Sequence, residues 1–169
     1  LAFSSIAQAG FILLVIIAGS AMVMSTVIYF VLVYIFSNLG AFGVAGAIYN
    51  ASGKEEISEY NGLYKSNPKL GLLMMLSLFS LAGIPPLAGF FGKFFLFTSA
   101  ASQGYYWLVI IAVLNTIISL YYYLIVVKAI FITPNENAIP YFKSDNMMKI
   151  GLSLAAAGII LIGFLGGIY

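Results

Sequence analysis

From Leu1 to Tyr49 the chain carries no charged side chain and is apolar almost throughout. A helix that crosses a bilayer needs about 20 such residues, so this stretch is too long for one span and sufficient for two. Gly19-Ser20 offers a turn between them, which predicts spans near 1–18 and 22–49. The second contains Gly40, Gly43 and Gly46 at three-residue spacing, with Ala41, Ala45 and Ala47 nearby. Small residues let helices approach closely in lipid, so this run reads as a packing face.

Residues 50–68 form a polar loop with Lys54, Glu55, Glu56, Glu59, Lys65 and Asn67-Pro68. The apolar block that follows, from Lys69 to about Ser102, would be about 50 Å long as one straight helix. A bilayer with its headgroups measures about 40–45 Å, so the block must tilt strongly or break. Gly83-Ile84-Pro85-Pro86 marks the place. Two adjacent prolines remove two backbone donors and push the preceding residue out of helical geometry. Gly83 supplies freedom to turn, and Pro86 can open the next half at its first helical position. The expected third element is therefore two half-helices, near 69–83 and 86–101, hinged at Gly83, Pro85 and Pro86.

A fourth span is expected at 105–132, a second polar loop at 133–148 with Pro134, Glu136, Pro140, Lys143 and Asp145, and a last span at 149–168. Ala155-Ala156-Ala157-Gly158 suggests tight packing there too. The fold class is all-α integral membrane, about five spans in a single domain over 1–169. Five spans put loops 50–68 and 133–148 on one side, where Lys54, Lys65, Lys69, Lys143 and Lys149 lie. The positive-inside rule makes that side cytoplasmic and places Tyr169 outside.

Composition sharpens this picture. Hydrophobic residues make up 63% and charged residues 7%, against about a quarter charged in soluble domains, so lipid must be the solvent. The net charge of +2 implies no nucleic-acid partner. Cys and His are both absent, which excludes thiolate and imidazole metal sites, iron–sulfur clusters, haem ligation and disulfides on this sequence. No Gly-rich phosphate loop, catalytic triad or dinucleotide fingerprint is present, so any redox chemistry belongs to other chains. The sequence opens on Leu1 rather than Met, without a basic n-region. No signal peptide is expected, and residue 1 reads as lying inside a longer protein.

Two charges fall inside the spans: Lys93 and Lys128. An ionisable residue there costs about 3 kcal/mol on insertion scales and normally faces a hydrated path or a partner. Lys93 lies seven residues past Pro86, too deep to reach an interface easily and just beyond a helix break, where loosened backbone can line a water-filled cavity. A lysine that alternates between charged and neutral forms can pass a proton. The structural alternative is a permanent carboxylate partner; no acidic residue occurs inside these spans, so that partner would have to come from sequence beyond this chain or from another chain. Lys128 lies four residues from the end of its span, and both a functional role and simple anchoring at the headgroups fit it. Ser4, Ser5, Gln8, Ser37, Asn38, Ser77, Ser80, Asn115 and Ser119 could hold water or relay protons, though interhelical hydrogen bonding suits each one singly. Asn115 and Ser119 share a helix face, whereas Lys128 lies about 220° around from Asn115. Tyr121-Tyr122-Tyr123 and the phenylalanines from Phe90 to Phe97 read as packing and lipid-facing surface.

The segments Leu1-Ala-Phe-Ser-Ser-Ile-Ala-Gln-Ala-Gly10, Ser37-Asn-Leu-Gly-Ala-Phe-Gly43 and Ser80-Leu-Ala-Gly-Ile-Pro-Pro-Leu-Ala-Gly-Phe-Phe-Gly-Lys-Phe94 resemble the N-subunit family of bacterial NADH:quinone oxidoreductase. Its mitochondrial counterpart is subunit 2 of complex I. Ile118-Ser-Leu-Tyr-Tyr-Tyr-Leu124 and Lys128 continue the likeness in register, so that it covers essentially the whole chain. The Ser80–Phe94 block is specific to the antiporter-like superfamily.

The resemblance implies about fourteen spans in the family, in two inverted five-helix repeats with one broken helix each. This chain would be the second repeat plus the last helix, with everything earlier missing. It further implies a non-redox, proton-translocating subunit in the bacterial inner membrane, partnered by other membrane subunits of complex I and the lipid bilayer. NADH, FMN, iron–sulfur clusters and quinone are expected on other subunits, with no cofactor or metal bound here. Lys93 matches the family's lysine in the second broken helix, and Lys128 a basic position on the following helix. Both are therefore expected in proton translocation, with Ser4, Ser5 and Gln8 as a proton or water relay. The family often has His where this sequence has Gln8, and Gln cannot titrate near neutral pH. Cation/proton antiporter subunits of the multi-subunit kind and membrane-bound hydrogenases share the Gly-Ile-Pro-Pro type of break and form one alternative. A structural scaffold subunit whose lysines only pair with neighbours forms another.

Overall fold

A computed structural model describes residues 2–19, 23–135 and 137–166. Leu1, Ser20, Glu136 and Tyr169, which entered the sequence reading, lie outside the described residues. The described residues form seven α-helices: α1 (Ala2–Ala18), α2 (Val23–Ser52), α3 (Leu63–Ser66), α4 (Pro68–Ala82), α5 (Ala88–Ser102), α6 (Tyr106–Phe131) and α7 (Asn146–Gly166). A short 3-10 turn, Ile57–Tyr60, precedes α3, and no strand occurs among the described residues. The helices α2, α6 and α7 are long and apolar enough to cross a membrane, while α1 and α4 are shorter apolar helices. Side chains such as Phe3, Trp107 and Phe164 stand 74–84% exposed. That is the inverse of a water-soluble surface and the expected face of a multi-pass membrane protein.

The core is built where α2 meets α4 and α7. Glycine makes this approach possible at particular points. A Cβ on Gly40 would run into the Ser77 hydroxyl, one on Gly43 into Leu152, and one on Gly158 into the Phe36 ring. Gly46 has nothing within 4 Å, so the three-residue glycine run packs at two of its three positions. On the outer side, α6 is mostly exposed, and a groove of about 460 Å³ separates it from α1, lined by Phe3, Ile6, Leu13, Ile111 and Asn115.

Element boundaries depart from the pattern-based expectation in informative ways. Helix α2 continues to Ser52 before Gly53, at φ +67°, stops it. Helix α7 starts at Asn146, where the Asp145 carbonyl accepts the Lys149 N–H. The 50–68 loop is folded rather than irregular: Tyr60 and Leu63 are buried, and Asn67 joins it to the other polar loop. Asn67 Nδ2 donates to the Pro140 carbonyl at 3.1 Å, its Oδ1 accepts from Phe142 N at 3.4 Å, and Gly62 N donates to Ala129 O at 3.0 Å. Both polar loops therefore meet at one end of the bundle.

The break between α4 and α5 falls at the expected residues, but Pro86 does not open the second half. Helix α5 begins at Ala88 after an extended Leu87, because Leu87 N bonds back to Ile84 O and closes a turn across the two prolines. The Pro85–Pro86 peptide is cis. Gly83 ends α4 in the left-handed region at φ +83°, with its own N–H bonded to Phe79 and Ser80 and that of Ile84 bonded to Phe79. This is the glycine-terminated Schellman arrangement.

Helix α5 then crosses α4 so closely that a Cβ on Gly89 would fall on the Ser80 carbonyl. Gly89→Ala is expected to destabilise the protein by more than about 2 kcal/mol through backbone overpacking, while Gly151→Ala, at a position with open space, should be near neutral. Thermal unfolding of the purified protein in detergent checks this, and equal midpoints for the two variants would refute the close crossing.

Candidate functional site

A helix end leaves its last carbonyls without intrahelical partners. In α4 the Schellman turn serves Phe79 and Ser80 and leaves the carbonyls of Leu81 and Ala82. They are answered by side chains. Lys93 reaches back from α5 and donates to Leu81 O at 2.9 Å and Ala82 O at 3.2 Å. From α1, Gln8 Nε2 donates to the same Leu81 O at 3.2 Å. The Phe11 ring, also on α1, lies 5.2 Å from Lys93 Nζ, within cation–π range. Lys93 is 4% exposed and Gln8 2%. Among the described residues, Lys93 is the one charged side chain that is buried.

Among the described residues, the lysine is held by backbone dipoles. The C-terminal end of a helix carries partial negative charge and favours a cation, and charge-assisted bonds to two carbonyls strengthen that preference. Gly83 serves the arrangement twice. It adopts the left-handed conformation, and a Cβ there would press to 3.0 Å from Lys93 Cδ, across the route of the lysine stem. Gly92, one residue before Lys93, meets Phe30 of α2 equally closely, with 3.0 Å left for a Cβ.

Other polar residues cluster around this centre. Ser37 Oγ on α2 donates to Ser80 Oγ on α4 at 2.8 Å, both buried. Ser77, one turn below Ser80, is fully buried and its hydroxyl has no partner, as is true of the Asn38 side-chain oxygen. Ser4 is buried one turn from Gln8, whereas Ser5 is half-buried. On α6, Ser119 donates to Asn115 O at 2.8 Å and accepts from the Tyr122 hydroxyl at 3.0 Å. The Asn115 side chain itself is exposed.

The structure thus brings together Lys93, Gln8, Ser4 and the Gly83 hinge, while Pro85 and Pro86 stand exposed at the turn. It does not bring Lys128 to them. Lys128 sits in the last turn of α6 on an exposed face. Tyr123, read from the sequence as packing, is 1% exposed and directed at Ser4 and Gln8. A signal was present: Ser119 and Tyr123 stand four apart, on one helix face, while Tyr121 is 71% exposed.

The family model described as NADH:quinone oxidoreductase/Mrp antiporter, TM matches residues 1–119. The chain belongs to this family. It is 54% identical to NADH-quinone oxidoreductase subunit N of Phocaeicola vulgatus, covering 100% of this chain and 36% of that protein. It is 46% identical to subunit N of Moorella thermoacetica, covering 100% and 35%. To NAD(P)H-quinone oxidoreductase subunit 2 of Synechococcus elongatus it is 41% identical, covering 95% and 32%. The chain therefore spans about a third of the length of these curated relatives. Among solved structures, it resembles a chain of respiratory complex I from Thermus thermophilus with bound NADH. The TM-score is 0.86 at 25% identity, over 99% of this chain and 35% of that one. The same complex with bound aureothin gives 0.80 at 31%, over 98% and 37%. Over that third of its length, the complex I chain shares this fold, which is all-helical among the described residues and broken between α4 and α5.

Because Gln8 and Lys93 share one carbonyl, their contributions should not add. Gln8→Leu and Lys93→Met, alone and together, are expected to show a coupling of about 1 kcal/mol in detergent unfolding. Additivity within about 0.3 kcal/mol would mean that the two donors do not act on the same group.

Proposed function

We propose that this chain is part of a proton-translocating membrane subunit of NADH:quinone oxidoreductase, with Lys93 as the group that takes up and releases the proton. One observation carries the reading: a buried lysine, without a carboxylate at its depth, held by the two open carbonyls of a broken helix. Such a lysine has two states of comparable use. Charged, it is bound by the carbonyls and by the Phe11 ring. Neutral, it loses the charge-assisted part of those bonds, and its flexible stem is freer to leave the helix end.

Gln8 supports this cycle without titrating. Its amide keeps a donor on Leu81 O in either state, so the break does not lose all its polar partners when the proton leaves. Ser4, Ser5 and Gln8 orient water toward the lysine. Lys128, exposed on α6, serves as a second proton-carrying position where the chain meets a neighbouring membrane subunit. The polar loops that meet through Asn67 face the cytoplasm, and the membrane is the bacterial inner membrane. NADH, FMN, iron–sulfur clusters and quinone reside on other subunits of the complex. Electron transfer there biases the hydration and charge state of the Lys93 pocket.

Lys93→Met in the full-length subunit, assembled in the complex and reconstituted in sealed liposomes, tests the reading. NADH oxidation and proton uptake are recorded together. Proton uptake should fall roughly tenfold, equivalent to about 1.4 kcal/mol on the barrier, with normal assembly. Wild-type uptake would make Lys93 a structural residue.

A further inference from the structure

A phenol buried at lipid depth is costly unless its hydroxyl is used. Tyr123 is 1% exposed and belongs to the same buried cluster as Leu81 and Ala82, whose carbonyls hold Lys93. Its hydroxyl is directed at Ser4 and Gln8 yet closes no hydrogen bond of standard length and angle. Phenylalanine would fill the same volume without the desolvation penalty of an under-bonded hydroxyl. Its ring meets that of Tyr122 edge-on, with centroids 4.7 Å apart, and Tyr122 continues to Ser119 at 3.0 Å. The hydroxyl thus stands between two polar groups already formed: the Lys93–Leu81–Gln8 set at the break and the Tyr122–Ser119 pair on α6.

We propose that Tyr123 is a further proton-relay residue, whose hydroxyl carries protons between the Lys93 pocket and the α1–α6 contact at Ser4. The proposal rests on the proton-translocating reading of Lys93. The step is a concerted hop through water. Lys93 gives a proton from Nζ to a water molecule beside Gln8, and that water forms a new O–H bond at Tyr123 Oη. The O–H bond that the tyrosine already had breaks toward a second water, directly or through the Ser4 hydroxyl, which releases its own proton as it receives this one, and that water carries the excess proton onward. One proton crosses, the lysine ends neutral, and the tyrosine is neutral before and after. A hydroxyl is suited to this because it is donor and acceptor at once, whereas the Gln8 amide only orients the water.

Tyr123→Phe in the full-length subunit, within the assembled complex in sealed liposomes, tests this, with Tyr121→Phe as the lipid-facing control and Lys93→Met alongside. Proton uptake, scaled to the amount of assembled complex, should fall roughly fivefold in Tyr123→Phe, and its solvent deuterium isotope effect should rise. Tyr121→Phe should match wild type in both. Unchanged uptake in Tyr123→Phe, or a fall with an unchanged isotope effect, would overturn the relay and leave the tyrosine a packing residue. If Lys93→Met lowers uptake while Tyr123→Phe does not, only the relay fails. If Lys93→Met pumps as wild type, the underlying reading fails, and the relay with it.

Discussion

Everything in this fold turns on two carbonyls. Where α4 stops in mid-bundle, Leu81 and Ala82 present oxygens that lipid cannot solvate, and an unmet backbone group at that depth costs several kcal/mol. A soluble protein would leave them to water. Here Lys93 spends its long apolar stem on the distance and its ammonium on both oxygens, and Gln8 adds a second donor to one of them. The same constraint fixes the neighbours. Gly83 must be glycine for its backbone and to leave the lysine route open, and Gly89 must be glycine for α5 to pass close enough for Lys93 to reach back.

A break that is structurally expensive also needs walls. Helix α7 provides one: a Cβ on Gly163 would press on Ala88 N at 3.0 Å and Pro86 O at 3.4 Å, so α7 lies directly on the turn. Tyr29 ties α2 to the same helix by donating to Ile162 O at 3.0 Å. Helices α2 and α7 therefore form a cradle, and the polar centre sits between that cradle and α1. Helix α6 is different. It joins the core beside Leu81 and Ala82 through Tyr123, while most of its surface, Lys128 included, faces outward.

Much of this was legible in the residues. Uncharged runs long enough for lipid point to the apolar helices, the Gly-Ile-Pro-Pro sequence marks the break because proline removes donors, and a lone deep lysine points to the candidate site because burying charge is costly. Boundaries were less legible. Pro86 fits the first position of a helix by propensity, yet α5 starts at Ala88 because the hydrogen bond from Leu87 to Ile84 closes the turn first. Nor could the pattern show what holds Lys93. Its partners are backbone oxygens, which every residue carries and no side-chain inventory reveals. Tyr123 escaped for a related reason: three consecutive tyrosines look alike in sequence, and only the angle around α6 separates the buried one from its exposed neighbour Tyr121.

That carbonyls hold Lys93 among the described residues bears on the proton-carrying role proposed for it. In a lysine–carboxylate pair, loss of the proton from lysine leaves an unpaired buried anion, which resists the change strongly. Backbone carbonyls carry no net charge, so in the proposed cycle a neutral Lys93 leaves a neutral pocket. Neither state then strands an isolated charge among apolar side chains, beyond the single ammonium that the helix end is shaped to receive. Gln8 reinforces this balance: it keeps a donor on Leu81 O and cannot itself gain or lose charge near neutral pH. A site of this kind can be moved between its two states by modest changes in hydration. That is the property the role proposed for Lys93 requires.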